Sequence, residues 1–251
     1  MLTNRPLEKL RAGQPSFGFA MGMKDPVVAE YLSNSGIDWI WIDEQHGTLG
    51  YEAMNVLMQI IGPTGTAPIV RLGSNEFFRI GRALDAGALG VIVPMVNSRE
   101  EAEEAVFAAK YPPHGGRSSG GARLGLLSEN YAEEANDNTL VAVMIETGHA
   151  IEAVPEIAAV DGVDCIFIGP GDLSVSLQTE PGSDGHEEAI TQILEHANAA
   201  GKPAGFPCGN VEDAVRRAEQ GFKLIHVGSE LGMIRNGIAH AQEVLGISPE
   251  S

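Results

Sequence analysis

Cationic residues, cysteines and long apolar runs are scarce in this sequence of 251 residues, and each scarcity excludes a class of protein. Lys and Arg number 16 against 34 Asp and Glu, which gives a formal net charge of −18. A nucleic-acid or anionic-membrane surface needs clustered cations, so neither partner is expected. An anionic substrate must instead meet a few arginines or a bound cation.

The cysteines and the chain start bear on the compartment. Cys165 lies in an apolar run and Cys208 lies beside a Pro and a Gly, and two cysteines are too few for a disulfide framework or a thiolate zinc site. Residues 1–14 lack the apolar core of a signal peptide, and no stretch offers the roughly 18 apolar residues of a membrane span. We therefore expect a cytoplasmic protein that is neither exported nor embedded.

Short β-branched runs alternate with longer amphipathic segments along the whole chain, which predicts repeated βα units around a parallel sheet. Eight units in a chain of this length, with no GxGxxG after the first strand, favour a single (β/α)8 barrel domain over residues 1–251. The predicted strands are Ser16–Ala20, Asp38–Asp43, Ala67–Arg71, Leu89–Pro94, Leu140–Glu146, Val163–Gly169, Pro203–Pro207 and Lys223–Gly228.

Helices are predicted after these strands, and their ends carry capping signals. Ser98 and Asn210 precede helices, and Gly87, Gly201 and Gly221 follow them. The predicted helices include Tyr51–Ile61, Glu76–Ala86, Arg99–Ala109, Ile151–Ala159, Glu187–Ala200, Val211–Gln220 and Leu231–Leu245.

One connection, residues 110–138, is too long for a βα turn and contains a glycine-dense piece with Arg117 and Arg123. Connections of this length tend to be functional or disordered. Because GxxxxGK[ST] is absent, a phosphate cradle is not favoured, and the two arginines are better suited to a carboxylate or to a neighbouring subunit's site.

Barrel enzymes carry their chemistry at the carboxyl ends of the strands. Glu146 and Asp172 close two consecutive predicted strands, so their carboxylates should lie near one another, which is costly unless a cation or a proton lies between them. An oxygen-preferring ion such as Mg2+ or Mn2+ suits such a pair and keeps open positions for substrate. A purely structural ion-pair role for the two residues remains the alternative.

Two further residues, His46 and Arg71, are candidate site residues because of their position at the same rim. His46 could move a proton near neutral pH, with Asp85 to orient it. The other six histidines, His226 among them, are interpreted as making ordinary hydrogen bonds. Arg71 ends an apolar strand and needs an anionic partner there, which could be an enolate or carboxylate oxygen, or the nearby Asp43 or Glu44.

Lysine placement argues against one mechanism. Of five lysines, Lys202 and Lys223 begin strands at the end opposite the predicted site, and only Lys24 falls in a loop at the catalytic end. A Schiff-base aldolase needs a desolvated lysine near the rim, so it is not favoured.

Taken together, six motifs in order resemble the class II pyruvate aldolases of the 4-hydroxy-2-oxoheptanedioate aldolase family, over roughly residues 17–228. They are Asp43-x-x-His46-Gly47, the strand-ending Arg71, Val93-Pro94-Met95, Lys110-Tyr111-Pro112-Pro113-x-Gly115, Ile145-Glu146-Thr147 and Phe167-Ile168-Gly169-Pro170-x-Asp172-Leu173.

The resemblance implies a barrel of the phosphoenolpyruvate/pyruvate type, in which Glu146 and Asp172 ligate Mg2+, Mn2+ or a similar ion (Co2+, Ni2+ or Zn2+). The 2-oxoacid would chelate that ion with help from backbone near Gly171. Arg71 would hold the keto oxygen, and His46, paired with Asp85, would move protons.

The resemblance also implies assembly. Arg123 would reach across a subunit boundary toward the acceptor aldehyde, in a homotrimer or homohexamer with exchanged C-terminal helices.

Two positions depart from many relatives. Gln45 stands where a Glu is common before the histidine, and Phe206 makes the end of strand seven bulkier. Both are expected to contact substrate or its surroundings and to affect donor and acceptor preference.

The leading hypothesis is therefore reversible aldol addition of pyruvate or hydroxypyruvate-like donors to aldehydes. A citrate-lyase-type or malyl-thioester lyase is a rival, although no basic groove for a coenzyme A tail is evident. A non-catalytic oxoacid-binding protein is a second rival.

Overall fold

The computed structural model describes residues 2–247, and in it eight parallel strands close into a barrel in chain order. Every neighbouring pair is parallel, including the closing pair of the first and last strands. The predicted (β/α)8 barrel is confirmed, and all eight predicted strands are present. They are β1 (Ser16–Met21), β2 (Trp39–Asp43), β3 (Ala67–Arg71), β4 (Gly90–Val93), β5 (Leu140–Ile145), β6 (Cys165–Ile168), β7 (Ala204–Pro207) and β8 (Leu224–Ser229).

Helices surround the barrel, and three of them have the predicted bounds: α3 (Tyr51–Ile61), α5 (Arg99–Ala109) and α11 (Val211–Gln220). Four more agree with prediction apart from shifted ends, and five short helices were not predicted. The other α-helices are α1 (Arg5–Arg11), α2 (Pro26–Ser33), α4 (Phe77–Asp85), α6 (Leu124–Leu127), α7 (Tyr131–Asn138), α8 (Gly148–Ala158), α9 (Pro170–Leu177), α10 (Asp184–Ala199) and α12 (Glu230–Leu245), and a short 3-10 helix covers Gly62–Thr64.

The predicted caps are confirmed. Ser98 and Asn210 accept hydrogen bonds from backbone N–H groups three residues later, at 3.3 and 2.8 Å. Gly87, Gly201 and Gly221 all adopt positive φ just past the ends of their helices, where a side chain would be strained.

Large side chains fill the barrel interior, beginning at its lower end, which is the end where the strands start. Trp39 and Phe167 are fully buried there. Each lies against a glycine of a neighbouring strand, because a Cβ added to Gly18 or to Gly205 would come within 2.4 Å of the ring. Leu7, from α1, packs into the same cluster and covers the lower end. Among the described residues, the space left for a ligand inside the barrel therefore lies toward the carboxyl ends of the strands.

The connection between α5 and β5 is ordered by its own cations. Arg117 is buried and donates from Nη2 to Oδ1 of Asp85 at 2.8 Å. Its guanidinium carbon lies 4.6 Å from the ring centre of Tyr111 and 5.6 Å from that of Tyr131. Arg117 was expected to meet a carboxylate or to serve a neighbouring subunit's site, and the carboxylate that it meets is that of Asp85 in its own chain.

Helix α12 is largely uncovered. Only Glu230 of this helix is buried, and its Oε1 accepts hydrogen bonds from the backbone N–H groups of Gly22 and Met23, both at 2.7 Å. Exchange of this helix between subunits stays a prediction. The exposed apolar side chains at this end of the chain are Leu231, Met233, Ile234, Ile238, Val244, Leu245 and Ile247.

Within residues 2–247, no helix has the length and apolar content needed to cross a membrane.

Two ion pairs of equal length provide a test of this packing. Replacing Arg117 with Met should lower the free energy of unfolding by about 2–3 kcal/mol, because the partly buried Asp85 loses a buried partner. The matched change, Arg99→Met, breaks an exposed pair with Glu103 that is also 2.8 Å long, and should cost no more than about 0.5 kcal/mol. Urea unfolding measures both, and equal losses would contradict the assigned burial.

Candidate metal and substrate site

A cavity of about 490 Å3 opens at the carboxyl ends of the strands. Its walls combine apolar side chains, including Trp41, Met144 and Pro207, with a small set of polar ones. The polar and charged side chains in the lining are those of Asp43, His46, Arg71, Glu146, Asp172 and His226.

Glu146 follows the last residue of β5 and is 1% exposed. Its Oε1 accepts a hydrogen bond from the backbone N–H of Met95 at 2.7 Å. Gly169 makes room for this carboxylate, because a Cβ at that position would lie 2.4 Å from Oε2. The glycine after β6 is therefore required by the position of the carboxylate on the neighbouring strand.

Burial raises the pKa of Glu146 to about 7, and the negative charge of Asp172 adds to the effect. The hydrogen bond from Met95 and the positive charge of Arg71 act in the opposite direction without cancelling it. The two carboxyl groups are close enough to share a hydrogen bond. A cation would relieve this crowding as effectively as a proton.

Asp172 lies in the first turn of α9, which begins at Pro170 directly after β6. Within residues 2–247, no cluster of three or more His, Cys, Asp or Glu side chains suits a metal. The donor set is thus two carboxylates, which fits an oxygen-preferring ion such as Mg2+ or Mn2+ that keeps several positions for water or substrate. It lacks the His and Cys ligands typical of Zn2+.

Arg71 ends β3 and forms a two-bond pair with Asp43, the last residue of β2. Its Nε and Nη2 donate to the two carboxylate oxygens at 2.9 and 2.6 Å. The guanidinium carbon lies 4.6 Å from the ring centre of Trp41. Asp43, one of the alternative partners expected for Arg71, therefore does pair with it. The pair uses Nε and Nη2, so Nη1 stays outside it, and Arg71 still lies in the cavity wall.

His46 is exposed and lies at the mouth of the cavity. The turn that carries it is held by Asp43, whose Oδ1 accepts hydrogen bonds from the backbone N–H groups of Gln45 and His46 at 3.2 and 3.3 Å. Gly47 is needed in this turn, because a Cβ there would lie 2.1 Å from the carbonyl oxygen of Asp43. Asp43 thus positions both Arg71 and His46.

Three of the predicted site residues lie away from the cavity in this chain. Asp85, at the end of α4, pairs with Arg117 and does not orient His46. Arg123 donates from Nη2 to the carbonyl oxygen of Met58 at 2.7 Å. Phe206 faces the outer layer, where its ring centre lies 5.2 Å from that of Phe222. Alternate residues of a strand face opposite sides, so Pro207 rather than Phe206 lines the cavity.

Of the two remaining predicted site residues, one lines the cavity and the other does not. Gly171 lines the cavity, as expected. Gln45 does not, and its Oε1 is buried without a hydrogen-bond partner among the described residues.

Trp41 and His226, which both bring polar ring nitrogens to the cavity, were not among the predicted site residues. His226 was expected to make an ordinary hydrogen bond, yet neither ring nitrogen makes one of acceptable geometry within the described chain. The two-residue period of β8 could have placed His226 inside the barrel, since it follows the interior Leu224 by two positions.

In this protein, β5 and β6 of a (β/α)8 barrel lead into a pair of carboxylates. The protein therefore belongs to the class of barrels with a candidate metal site at the strand ends. Comparison with known proteins is consistent with that class. The sequence model of the HpcH/HpaI aldolase/citrate lyase family matches residues 17–237, and the chain belongs to this family.

Curated relatives cover most of the chain. A 4-hydroxy-2-oxo-heptane-1,7-dioate aldolase of Klebsiella pneumoniae is 36% identical over 94% of this chain and 91% of its own length. A hydroxypyruvate/pyruvate aldolase of Delftia acidovorans is 34% identical over 90% of this chain and 86% of its own length. A crystal structure of a family member from Burkholderia cenocepacia, 28% identical, superposes with a TM-score of 0.89 over 97% of this chain and 99% of its own.

The raised pKa of Glu146 predicts how stability depends on pH in metal-free protein. Between the ordinary pKa of 4.5 and the raised value of about 7, the folded chain holds a proton that the unfolded chain has lost. Stability contributed by that proton falls as pH rises through this window, by up to about 3 kcal/mol. Glu146→Gln cannot ionise, so it should stabilise the protein more at pH 8 than at pH 5.

Urea unfolding in the presence of chelator, with wild type and variant compared at both pH values, measures this difference. Titrating groups that do not contact Glu146 cancel, because both proteins contain them in the same surroundings. An unchanged difference between pH 5 and pH 8 would contradict the raised pKa.

Proposed function

We propose that this protein is a metal-dependent aldolase that adds a pyruvate- or hydroxypyruvate-like 2-oxoacid to an aldehyde and catalyses the reverse cleavage. The observation that carries the proposal is the Glu146–Asp172 pair sharing one cavity with Arg71. Curated relatives that are carbon–carbon lyases by name support it.

Glu146 and Asp172 would hold a divalent ion, with Mg2+ or Mn2+ favoured by the all-oxygen donor set. Such an ion would act as a Lewis acid on the oxygens of the 2-oxoacid and favour loss of a proton from C3. The backbone at Gly171 lines the same part of the cavity and would contact the substrate carboxylate.

Arg71 would stabilise the negative charge that develops on the keto oxygen when the C3 proton leaves. Its orientation is fixed before substrate binds, because Asp43 holds Nε and Nη2 and the face of Trp41 packs against the guanidinium. A preorganised cation of this kind stabilises developing charge without reorganising during the reaction.

His46 would take the proton from C3 of the donor and deliver a proton to the aldehyde oxygen as the new C–C bond forms. The exposed position of the ring at the cavity mouth suits exchange with solvent and contact with the entering aldehyde. In the cleavage direction the same transfers run in reverse.

A lysine-based mechanism has no support in the cavity, since none of the described residues that line it is a lysine. The basic residues are also too few for the rival thioester chemistry. Among residues 2–247, Arg71 is the only Lys or Arg that lines the cavity, so a coenzyme A tail would find no basic groove there.

Assembly remains part of the proposal. We expect a homotrimer or homohexamer in the cytoplasm, in which the apolar side chains of α12 are covered by another subunit. The exposed Leu231, Ile234 and Ile238 support this expectation. Arg123 would serve a neighbouring site only after leaving the carbonyl oxygen of Met58.

Metal removal tests the function directly. Excess chelator should abolish aldol cleavage, and added Mn2+ or Mg2+ should restore it. Asp172→Asn should weaken Mn2+ binding at least tenfold, because a neutral amide replaces one of two anionic ligands. Calorimetric Mn2+ titration measures this, with Asp184→Asn, at an exposed position on α10, as the unaffected control. Full activity in excess chelator would rule out the proposed chemistry.

His46→Ala tests the proton-transfer role and separates an enzyme from a non-catalytic oxoacid-binding protein. Exchange of the pyruvate methyl protons for deuterium, followed by NMR with metal present and no aldehyde, should slow by about 100-fold or more. Binding of pyruvate should change much less. Unchanged exchange would show that another group is the base, and absence of exchange in the wild type would favour the binding protein.

A further inference from the structure

The floor of the cavity holds three polar atoms without hydrogen-bond partners among the described residues. They are Nε1 of Trp41 and both ring nitrogens of His226, and all three are buried. The two rings contact each other, with centres 5.5 Å apart and planes inclined by 61°. Phe167 packs below Trp41 with its ring centre 5.2 Å away, so the floor is closed from beneath.

Leaving such atoms unpaired is costly. A buried donor or acceptor without a partner costs about 1–3 kcal/mol, and buried polar groups in proteins are nearly always satisfied. Since both residues line the cavity, a bound molecule can supply the missing partners. Trp41 and His226 thus form a polar floor. The lower wall around this floor is otherwise apolar and includes Met144 and Ala20.

The chemistry of the floor indicates what group it suits. Burial, reinforced by the charge of Arg71, lowers the pKa of His226 to about 4, although backbone near Gly228 and the carboxylate of Asp43 act in the opposite direction. The ring is therefore neutral near pH 7 and offers one N–H donor and one lone pair, while Trp41 offers one N–H donor. A hydroxyl group both donates and accepts, so it matches this set, whereas a carboxylate only accepts and is better held by Arg71.

The depth of the floor indicates which substrate carries that hydroxyl. Trp41 precedes Asp43 by two residues on β2, and Met144 precedes Glu146 by two on β5, so the floor lies one interior layer deeper than the charged residues. A 2-oxoacid held at Glu146, Asp172 and Arg71 lies between the floor and the open mouth. The aldehyde enters afterwards from the mouth beside His46, so the group that reaches the floor belongs to the 2-oxoacid.

We propose that His226 and Trp41 are specificity-determining residues that select 2-oxoacids with a hydroxyl group on C3, the hydroxypyruvate class, over pyruvate. The proposal rests on the aldolase function proposed above and specifies its donor. The hydroxyl oxygen accepts a hydrogen bond from the N–H of Trp41, and the hydroxyl forms a second hydrogen bond with the imidazole of His226. No proton transfer to or from His226 is involved.

Binding and exchange measured side by side test the proposal. Calorimetry with Mg2+ present gives Kd for pyruvate and for hydroxypyruvate, and NMR gives the rate of C3 proton exchange for each without aldehyde. We expect the wild type to favour hydroxypyruvate by about tenfold or more in both measurements, the effect of one or two hydrogen bonds to a buried hydroxyl.

The variants separate hydrogen bonding from packing. His226→Phe keeps a planar ring without nitrogens and should reduce the hydroxypyruvate preference to about twofold or less, and Trp41→Phe should reduce it in part. His226→Gln restores a donor and an acceptor and should recover part of the preference. His114→Ala changes an exposed histidine and should match the wild type. Thermal melting establishes that each variant is folded.

The outcomes are distinct. A preference that persists in folded His226→Phe would overturn the proposal, as would a wild type that exchanges both donors equally, and either result would leave the aldolase function intact. Failure of the Mg2+-loaded wild type to bind or exchange any 2-oxoacid would refute the aldolase function and the donor selection together.

Discussion

The proximity of two carboxylates at the ends of neighbouring strands is the constraint on which the site depends. Glu146 is buried, accepts a backbone hydrogen bond from Met95 and lies beside Asp172, so its pKa rises to about 7. Two features of the fold maintain this unfavourable contact. Gly169 leaves room for the carboxylate, and α9 begins immediately after β6 so that Asp172 falls in its first turn. Such an arrangement is stable only when a proton or a cation compensates the charge.

Asp43 plays the complementary part on the other side of the cavity. One carboxylate fixes the guanidinium of Arg71 through two bonds and holds the turn that carries His46 through two backbone N–H groups. The cation and the proposed base are therefore positioned by the same residue. Loss of Asp43 would disturb both, whereas Asp85, the residue expected to orient His46, is committed to Arg117.

The fold could be predicted from the sequence because a parallel barrel has local signals. Its strands are buried on both faces and appear as short apolar runs, and residues such as Ser98 and Gly221 mark helix ends. Short helices such as α1 and α6 were not predicted because seven and four residues give little periodicity. The cavity residues Glu146, Asp172, Arg71 and His46 could be predicted because they stand at or just past strand ends, which meet on one rim.

The other residues depended on contacts that sequence does not encode locally. The pairing of Asp85 with Arg117 joins positions 32 residues apart, one at the end of α4 and the other in the connection between α5 and β5. Phe206 and Pro207 differ by one position, yet only one can face the cavity, and this depended on the register of a four-residue strand. His226 required the same register argument on β8, and only the structure shows that its nitrogens lack partners.

In the proposed site, Glu146 and Asp172 together bind one divalent cation. An anomalous difference map from crystals soaked with Mn2+ tests it most directly, because it locates the metal without reference to activity. We expect one strong peak between the two carboxylates, with Arg71 across the same cavity. A peak elsewhere, or none at this position in crystals grown above pH 7, would contradict it.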